Sequence, residues 1–214
     1  MSKRDEIENL QLAFALHRSG RFAEASKAYR KVIKRNPKQP HALHSLGVIE
    51  AANGNHGEAA ELMARSLSIE ATNLDFMQNY ATVLCQLGQF EAARQVCVRG
   101  LVIKGSHAYL LYVLGGTLLK LGRLEESLSA YDKLLRIEPN HVTAITERSS
   151  VLIEVGQLDA ARADIERALA LDPNYADAHA NLGLLCMKLK RYDEAIAAYQ
   201  RASALKPNSA EPWA

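Results

Sequence analysis

The sequence repeats one pattern at a fixed interval along nearly its whole length. A glycine recurs every 34 residues, at Gly20, Gly54, Gly88, Gly122 and Gly156. Repetition with a period of roughly 20 to 50 residues indicates an array of similar units stacked on one another, because a unit of that size does not bury its apolar surface alone. The pattern therefore favours a repeat architecture over a globular domain built around one buried site.

The register divides the chain into six blocks without insertion or deletion. We predict repeats at 6–39, 40–73, 74–107, 108–141, 142–175 and 176–209. Residues 1–5 form a short N-terminal leader, and residues 210–214 begin a truncated seventh repeat, in which Trp213 stands at the fourth position. A small residue precedes the glycine position in every block, and this column contains Ala13, Gly47, Ala81, Gly115, Ser149 and Gly183.

Each block has the periodicity of two helices. In the last block, small and apolar residues fall on one face of each helix, at Leu182, Gly183 and Cys186 and then at Ala195, Tyr199 and Ala202. Glycine ends the first helix because it adopts the left-handed conformation without strain, and Lys190 replaces it in this block. A column of prolines ends the second helix, at Pro37, Pro139, Pro173 and Pro207. Each block is therefore predicted to be a helix hairpin.

This pattern resembles the tetratricopeptide repeat family. In the sixth block the resemblance is carried by Leu182, Gly183, Tyr192, Ala195, Tyr199, Ala202 and Pro207. In the fourth block it is carried by Leu114, Gly115, Gly122, Leu124, Tyr131 and Pro139. The resemblance implies an all-α fold, a right-handed superhelical solenoid of six antiparallel helix hairpins. It leaves the biological role open, because this fold hosts many unrelated functions.

Two blocks depart from the family pattern. Block five carries Arg148 and Ser149 where leucine and glycine are usual. Block three carries Gly100 within its second helix and Gly105 after it. We expect looser packing or a functional deviation in these two blocks.

The sequence gives no sign of catalysis within these residues. It lacks the phosphate-binding Gly-x-x-x-x-Gly-Lys and the nucleophile motif Gly-x-Ser-x-Gly, and its carboxylates are spread along outer helical faces. His41 and His44 lie one helical turn apart without an evident third ligand, so groove-lining histidines are favoured over a metal site. We expect no enzyme activity, no cofactor and no metal.

The cysteines and the N-terminus bear on the compartment. Cys85, Cys97 and Cys186 have no metal-like spacing and are expected to be small buried side chains. The N-terminus lacks the apolar core of a signal peptide, and no stretch approaches the length needed to cross a bilayer. We predict a soluble, cytoplasmic protein without a membrane span.

The formal net charge of +2 conceals an uneven distribution. Residues 1–39 hold ten Lys and Arg against four Asp and Glu, whereas residues 40–214 hold sixteen against twenty. The densest basic cluster contains Lys27, Arg30, Lys31, Lys34, Arg35 and Lys38. It is either a docking patch for an acidic partner, nucleic acid or anionic lipid, or a solvated helix face. We favour the solvated face, and expect no nucleic-acid partner, because no aromatic or glycine-rich neighbour suggests base stacking.

The resemblance places the first helix of each block on the concave side of the array. From the inward-facing positions we predict a partner-binding set of Phe14, His44, Gln78, Asn79, Tyr109, Tyr112, Lys120, Glu147 and Asn181. Tyr109 and Tyr112 are the expected anchor, since tyrosine buries a large amphipathic surface at low entropic cost. The alternative is that these two side chains pack between successive first helices.

Two of these residues match a feature of one subtype of the family. Members that resemble the receptor arm of O-linked N-acetylglucosamine transferases carry asparagine at the sixth position, where the amide bonds a peptide backbone through its donor and acceptor. Only Asn79 and Asn181 fill that position here, so the asparagine ladder is partial.

Three functions are consistent with the sequence. The first is a non-catalytic interaction module that binds an extended peptide or helix of a partner protein in its concave groove. The second is the substrate-recruiting N-terminal arm of a larger enzyme, such as a glycosyltransferase or sulfotransferase, since the register continues to Trp213. The third is a self-assembling scaffold that associates through an uncapped C-terminal end.

Overall fold

The computed structural model describes residues 3–206, which form twelve helices and contain no strand. The helices are α1 (Lys3–Arg18), α2 (Phe22–Arg35), α3 (Pro40–Ala52), α4 (His56–Ile69), α5 (Leu74–Gln86), α6 (Phe90–Ile103), α7 (Ala108–Lys120), α8 (Leu124–Ile137), α9 (Val142–Glu154), α10 (Leu158–Leu171), α11 (Ala176–Lys188) and α12 (Tyr192–Leu205). From α2 onward, each start recurs after 34 residues. Helix α1 begins within the segment predicted as a leader. Pro207, Ser209 and Trp213, on which the prediction for the C-terminal end depends, lie outside the described residues.

The turn inside each hairpin requires one residue in the left-handed conformation. The five register glycines have φ values from 70° to 82°, and Lys190 takes 59° in the last hairpin. An L-residue loses roughly 1–2 kcal/mol in this conformation, a cost that glycine avoids. The role predicted for the glycines is confirmed, and Lys190 adopts the same turn in spite of its side chain.

The chain forms two compact units, Met1–Gly105 and Ser106–Ala214. In the first, α1 packs on α2, α3 on α4 and α5 on α6, while α2 also contacts α3 and α4 also contacts α5. The second unit repeats this order from α7 to α12. First helices also touch one another, α3 with α5 in one unit and α7 with α9 and α9 with α11 in the other. Each unit therefore presents its own row of first helices.

The small column predicted before each turn allows the close approach of an aromatic side chain from the second helix. A Cβ atom on Gly115 would lie 2.7 Å from the ring of Tyr131, and one on Gly183 would lie 2.8 Å from Tyr199. Gly47 is nearly as close to the side chain of Met63, at 3.0 Å. Tyr131 is 1% exposed. Large side chains of the second helices therefore occupy the space that a side chain at the glycine positions would fill.

A basic column that the sequence analysis did not single out ties successive hairpins together. The guanidinium groups of Arg65, Arg99 and Arg167 donate to the main-chain carbonyls of Pro37, Ala71 and Pro139. Each carbonyl lies just beyond the second helix of the preceding hairpin, where a cation is favoured by the helix dipole. The signal in the sequence is a Lys or Arg at the same position of every block, namely Lys31, Arg65, Arg99, Lys133, Arg167 and Arg201.

The departure in block five creates ion pairs. Arg148 of α9 donates to both carboxylate oxygens of Asp164 on α10, at 2.7 Å each, and to Asp132 on α8 at 2.6 Å. Both aspartates hold the pKa of Arg148 above its usual value, Asp164 most strongly. The looser packing expected at Arg148 is therefore wrong, because the arginine fastens α9 to both neighbouring second helices. In block three, Gly100 is buried within α6, and the division between the two units falls at Gly105.

Candidate functional site

In the first unit, Phe14 lies on the predicted inward face of α1. Its ring meets Tyr29 edge to face, with centroids 5.8 Å apart, and the side chain is half-buried. Together with Gln11, His17 and Arg18 it lines an open cleft of about 390 Å³. Phe14 therefore packs against α2, and the rest of its side chain is exposed in this cleft.

His44 of α3 is part of the packing between first helices. It is 8% exposed, and its ring stacks on Phe76 of α5 with centroids 4.2 Å apart. Its Nε2 lies 3.0 Å from the amide nitrogen of Asn79. Burial, together with the charge of His41, lowers the pKa of His44 to about 4, so the ring is neutral at pH 7. His44 holds α3 against α5 and is not exposed toward a partner.

The two asparagines of the partial ladder bond to the preceding first helix. Asn79 contacts His44, as above, while Asn181 Nδ2 donates to the carbonyl of Thr146 at 2.9 Å and to Ser149 Oγ at 3.0 Å. In both cases the contact joins one repeat to the next. The amide nitrogen of each asparagine therefore already contacts the preceding repeat. The backbone of a partner would have to compete with that contact. Gln78, beside Asn79 on α5, is half-buried.

In the second unit, an aromatic row follows α7 and reaches the start of α9. Tyr109 and Tyr112 have ring centroids 6.5 Å apart, and Tyr112 stacks on His141 at 5.6 Å. Burial raises the pKa of Tyr112 to about 12, with the charge of Glu147 as the next cause. Tyr112 packs between repeats, as the alternative interpretation held, whereas Tyr109 is 43% exposed. The two tyrosines therefore have different roles.

His141 explains why the ring of Tyr112 is fixed in place. It occupies the N-cap position of α9, where its Nδ1 accepts a hydrogen bond from the main-chain nitrogen of Ala144 at 3.2 Å. A capping side chain is held by the helix that it caps. The histidine ring is therefore a rigid support for the tyrosine. This contact links the last residue of the fourth block, which caps α9, to the first helix of the same block, α7.

A carboxylate and a lysine share the neighbourhood of this row. Glu147 of α9 is half-buried, and burial, followed by the charge of Asp177, raises its pKa. Lys120, at the end of α7, is exposed, and its charge lowers the pKa of Glu147. Thus Tyr109, Tyr112, Lys120 and Glu147 all belong to the second unit, where Glu147 is near enough to Tyr112 and to Lys120 for their charges to interact. Phe14, His44, Gln78 and Asn79 belong to the first unit.

The N-cap residues of α3, α5, α7, α9 and α11 were not predicted from the sequence. His141 and Tyr175 both join the first-helix face of the second unit, and the hydroxyl of Tyr175 donates to Thr143 Oγ1 at 3.3 Å. This position holds a ring or an amide in five successive blocks, at Gln39, Asn73, His107, His141 and Tyr175. Four of these side chains accept a hydrogen bond from the helix that follows, all except that of Tyr175. The recurrence of a ring or an amide at this position is visible in the sequence and could have identified these residues.

The basic cluster of α2 is partly neutralised within the first unit. Arg30 pairs with Glu50 and with Glu58, at 2.8 Å in each case. Glu50 is 4% exposed, so Arg30 balances a buried charge on the next hairpin. The lysines Lys27, Lys31 and Lys34 are exposed. Arg30 is therefore engaged with the next hairpin, and the choice between a solvated face and a docking patch stays a prediction for the lysines.

Among the residues whose side chains are described, no three His, Cys, Asp or Glu side chains lie close enough together to bind one metal ion. His41 faces Glu70 at 3.5 Å and Phe76, and His44 is engaged as described above. Cys97 and Cys186 are buried and Cys85 is half-buried, all as free thiols. Across the described helices, none is both long and apolar enough to span a bilayer.

Family models were matched to the chain along most of its length. Models described as tetratricopeptide repeat match residues 10–74 and 146–210, residues 50–103, and residues 108–141. The first of these models alone accounts for more than half of the sequence. The chain belongs to the tetratricopeptide repeat family. Its repeats leave only 104–107 and 142–145 unmatched between residues 10 and 210, and this repeat architecture makes it a non-catalytic protein-interaction module.

Solved structures of tetratricopeptide repeat proteins resemble the whole fold. The type IV pilus biogenesis factor PilW gives a TM-score of 0.80 at 18% identity, covering 97% of this chain and 96% of its own. PilF of Pseudomonas aeruginosa gives 0.77 at 19%, with the same coverage. YrrB, described as a repeat protein with an unusual peptide-binding site, gives 0.67 at 18%, covering 86% and 95%. These likenesses confirm the all-α repeat solenoid as the fold class. No curated protein matches the sequence.

Proposed function

We propose that the second unit binds an extended segment of a partner protein on the face formed by α7, α9 and α11, with Tyr109 as the anchor. The observation that carries this proposal is the contrast between the two tyrosines of the aromatic row. Tyr112 is held by His141, whereas Tyr109 is 43% exposed beside it. A large aromatic side chain that is accessible and supported from behind is the kind of residue that dominates interface energies.

The comparisons support the same proposal. YrrB is described as having a peptide-binding site, and its fold matches most of this chain. The first helices of the second unit contact one another, so their inward positions form one continuous face. An extended segment along this face would reach the aromatic row and Glu147. In the first unit, by comparison, His44 and Asn79 are already bonded to each other.

Affinity measurements on a tyrosine variant test the proposal. Peptides selected from a displayed random library against the intact chain would be synthesised, and their affinities measured by calorimetry. Tyr109→Ala should weaken binding by about 2 kcal/mol or more, which is about 30-fold. Val102→Ala is the control, because Val102 is an exposed apolar residue on the second helix α6, outside the proposed face. Equal losses in the two variants, or no loss in Tyr109→Ala, would overturn the proposal.

A second candidate function, self-association, is favoured by the surface of α12. Tyr192, Ile196 and Tyr199 are 56%, 55% and 41% exposed and follow one face of the helix. Tyr131, the counterpart of Tyr199 in the fourth block, is 1% exposed. An apolar helix face of this kind marks an interaction surface. Light scattering over a concentration series tests it: mass should rise with concentration and fall back in Ile196→Glu, and a constant monomer mass would exclude it.

The cytoplasmic location expected from the sequence stays a prediction, which fractionation of the source cells would test. The same applies to the recruiting-arm hypothesis, for which the sequence downstream in the source gene is the test.

A further inference from the structure

Helices α12 and α1 each expose apolar residues at positions that are buried in other repeats. On α12, Tyr199 is 41% exposed, whereas the same position is at most 1% exposed in four other second helices, at Tyr29, Met63, Tyr131 and Ile165. On α1, Leu12 is 56% exposed, whereas its counterpart Leu46 on α3 is 1% exposed. Ala15, one turn further along α1, is also exposed, and its position is buried in α3, α5, α9 and α11, at Ile49, Val83, Val151 and Leu185.

Inside the chain, the position of Tyr199 and the position of Leu12 lie on opposite sides of the junction between one hairpin and the next. They share an apolar cluster in three junctions, as Tyr29 with Leu46, Met63 with Tyr80, and Ile165 with Leu182. Where α8 meets α9, the Leu12 position holds Arg148, which reaches back to Asp132 of α8 at 2.6 Å. The two exposed surfaces are therefore the two halves of an interface that the chain already forms several times.

We propose that the chain associates head to tail with a second copy of itself, with the α12 surface of one copy (Ile196 and Tyr199) covering the α1 surface of the other (Leu12 and Ala15). The contact would repeat, between two molecules, the junction that each unit makes between its own hairpins. It would remove apolar area of both copies from water. This inference rests on the self-association candidate above and adds to it the surface that α12 binds.

The charges at the two helix ends fit this arrangement. The connections between helices are short, so successive helices run antiparallel, and the first turn of α12 would lie toward the last turn of α1. The first turn of α12 contains Asp193 and Glu194, and the last turn of α1 contains His17 and Arg18. The last turn of α12 (Tyr192–Leu205) contains no basic residue, so two α12 helices paired antiparallel would lack this complementarity.

A pair of variants, each with one surface blocked, tests the inference when the two are mixed. Leu12→Glu blocks the α1 surface and leaves the α12 surface intact, and Ile196→Glu does the reverse. Measured by light scattering, each variant alone should associate at least about tenfold more weakly than the wild-type chain, because a charge buried without a partner is unfavourable. An equimolar mixture should form a heterodimer of twice the chain mass of 23.6 kDa, since one intact surface of each kind remains.

A third variant controls for the introduction of a charge at an exposed apolar position. Val102 is 82% exposed on α6, and the equivalent residues of α2, α4, α8 and α10 are exposed as well. Val102→Glu should therefore associate as strongly as the wild-type chain. Circular dichroism would verify that all three variants keep the wild-type helix content.

The outcomes distinguish failure of this inference from failure of the candidate on which it rests. If Ile196→Glu loses association but Leu12→Glu keeps it, α12 binds a surface other than α1; the head-to-tail inference is then overturned and self-association stands. A mixture of the two variants that stays monomeric overturns the inference as well. If the wild-type chain is monomeric at every concentration, or if Ile196→Glu associates as the wild type does, both proposals fail.

Discussion

Gly115 and Tyr131 approach so closely that a Cβ atom on the glycine would lie 2.7 Å from Cε1 and Cζ of the ring. The ring is buried, and the hydroxyl of Ser127 on the same helix donates to the Gly115 carbonyl at 2.8 Å. Helices α7 and α8 are thus in contact through a glycine, an aromatic ring and one buried hydrogen bond. The hairpin has no room for even one added methyl group at this point.

Gly115→Ala is expected to destabilise the chain by about 1–3 kcal/mol, the usual cost of overpacking a core. The neighbouring Gly116→Ala is the matched control, because its Cβ would meet only the Tyr131 hydroxyl, at 3.6 Å. Since alanine favours helix over glycine by up to about 1 kcal/mol, Gly116→Ala should be neutral or stabilising. Chemical denaturation would measure the unfolding midpoint of each variant. Similar changes of the midpoint in Gly115→Ala and Gly116→Ala would contradict the close packing of Tyr131 on Gly115.

Lys190→Gly is expected to stabilise the last hairpin. The lysine occupies the left-handed conformation at φ 59°, and glycine removes that strain while losing more freedom on folding. The net gain should be up to about 1 kcal/mol. The reverse change, Gly122→Lys at the same position of the fourth block, should cost about as much. Thermal unfolding would measure both, and a loss of stability in Lys190→Gly would contradict the assigned role.

Arg148→Ala should destabilise the second unit by about 2 kcal/mol or more, because it leaves the buried carboxylate of Asp164 without its bidentate partner. The double variant Arg148→Leu with Asp164→Ala should recover most of this loss, since neither charge remains. Asp132→Asn is the control: Asp132 is 54% exposed, and its ion pair should contribute less than about 1 kcal/mol. A double variant no more stable than Arg148→Ala would refute the ion-pair interpretation.

Stability should fall in acid because of His44. Its pKa is about 4 in the folded chain and about 6.5 when unfolded, so between these values the unfolded chain binds more protons. The stabilising contribution is present above pH 6.5 and is lost as the pH falls toward 4. The free energy of unfolding should drop by about 3 kcal/mol over this window, apart from other groups. His44→Gln should remove this portion of the pH dependence, and an unchanged slope would argue against a buried neutral histidine.

The sequence predicted the hairpins and their turns because these depend on local backbone conformation. A left-handed residue and two amphipathic helices are visible within a single block, which is why Lys190 and the glycines were placed correctly. The small column was also predicted, but its partner was not. Recognising that Tyr131 fills the space beside Gly115 requires the angle at which two helices cross.

Contacts between repeats were beyond the sequence for a different physical reason. His44 meets Asn79 of the next block, and Tyr112 meets His141 at the start of α9, and both contacts depend on how far each hairpin is displaced from the next. Polar and aromatic residues on an inward column were therefore assigned to a partner, although His44 and Tyr112 contact Asn79 and His141 of this chain. Tyr109 and Glu147 were selected by the same rule, and their binding role stays a prediction.

The most direct test of the central claim is to locate a bound peptide on the second unit. Amide chemical shifts of the intact chain would be recorded with and without a peptide selected for binding. The account predicts that the largest changes fall on α7, α9 and α11, centred on Tyr109 and Glu147. Changes confined to the second helices α8, α10 and α12 would contradict it.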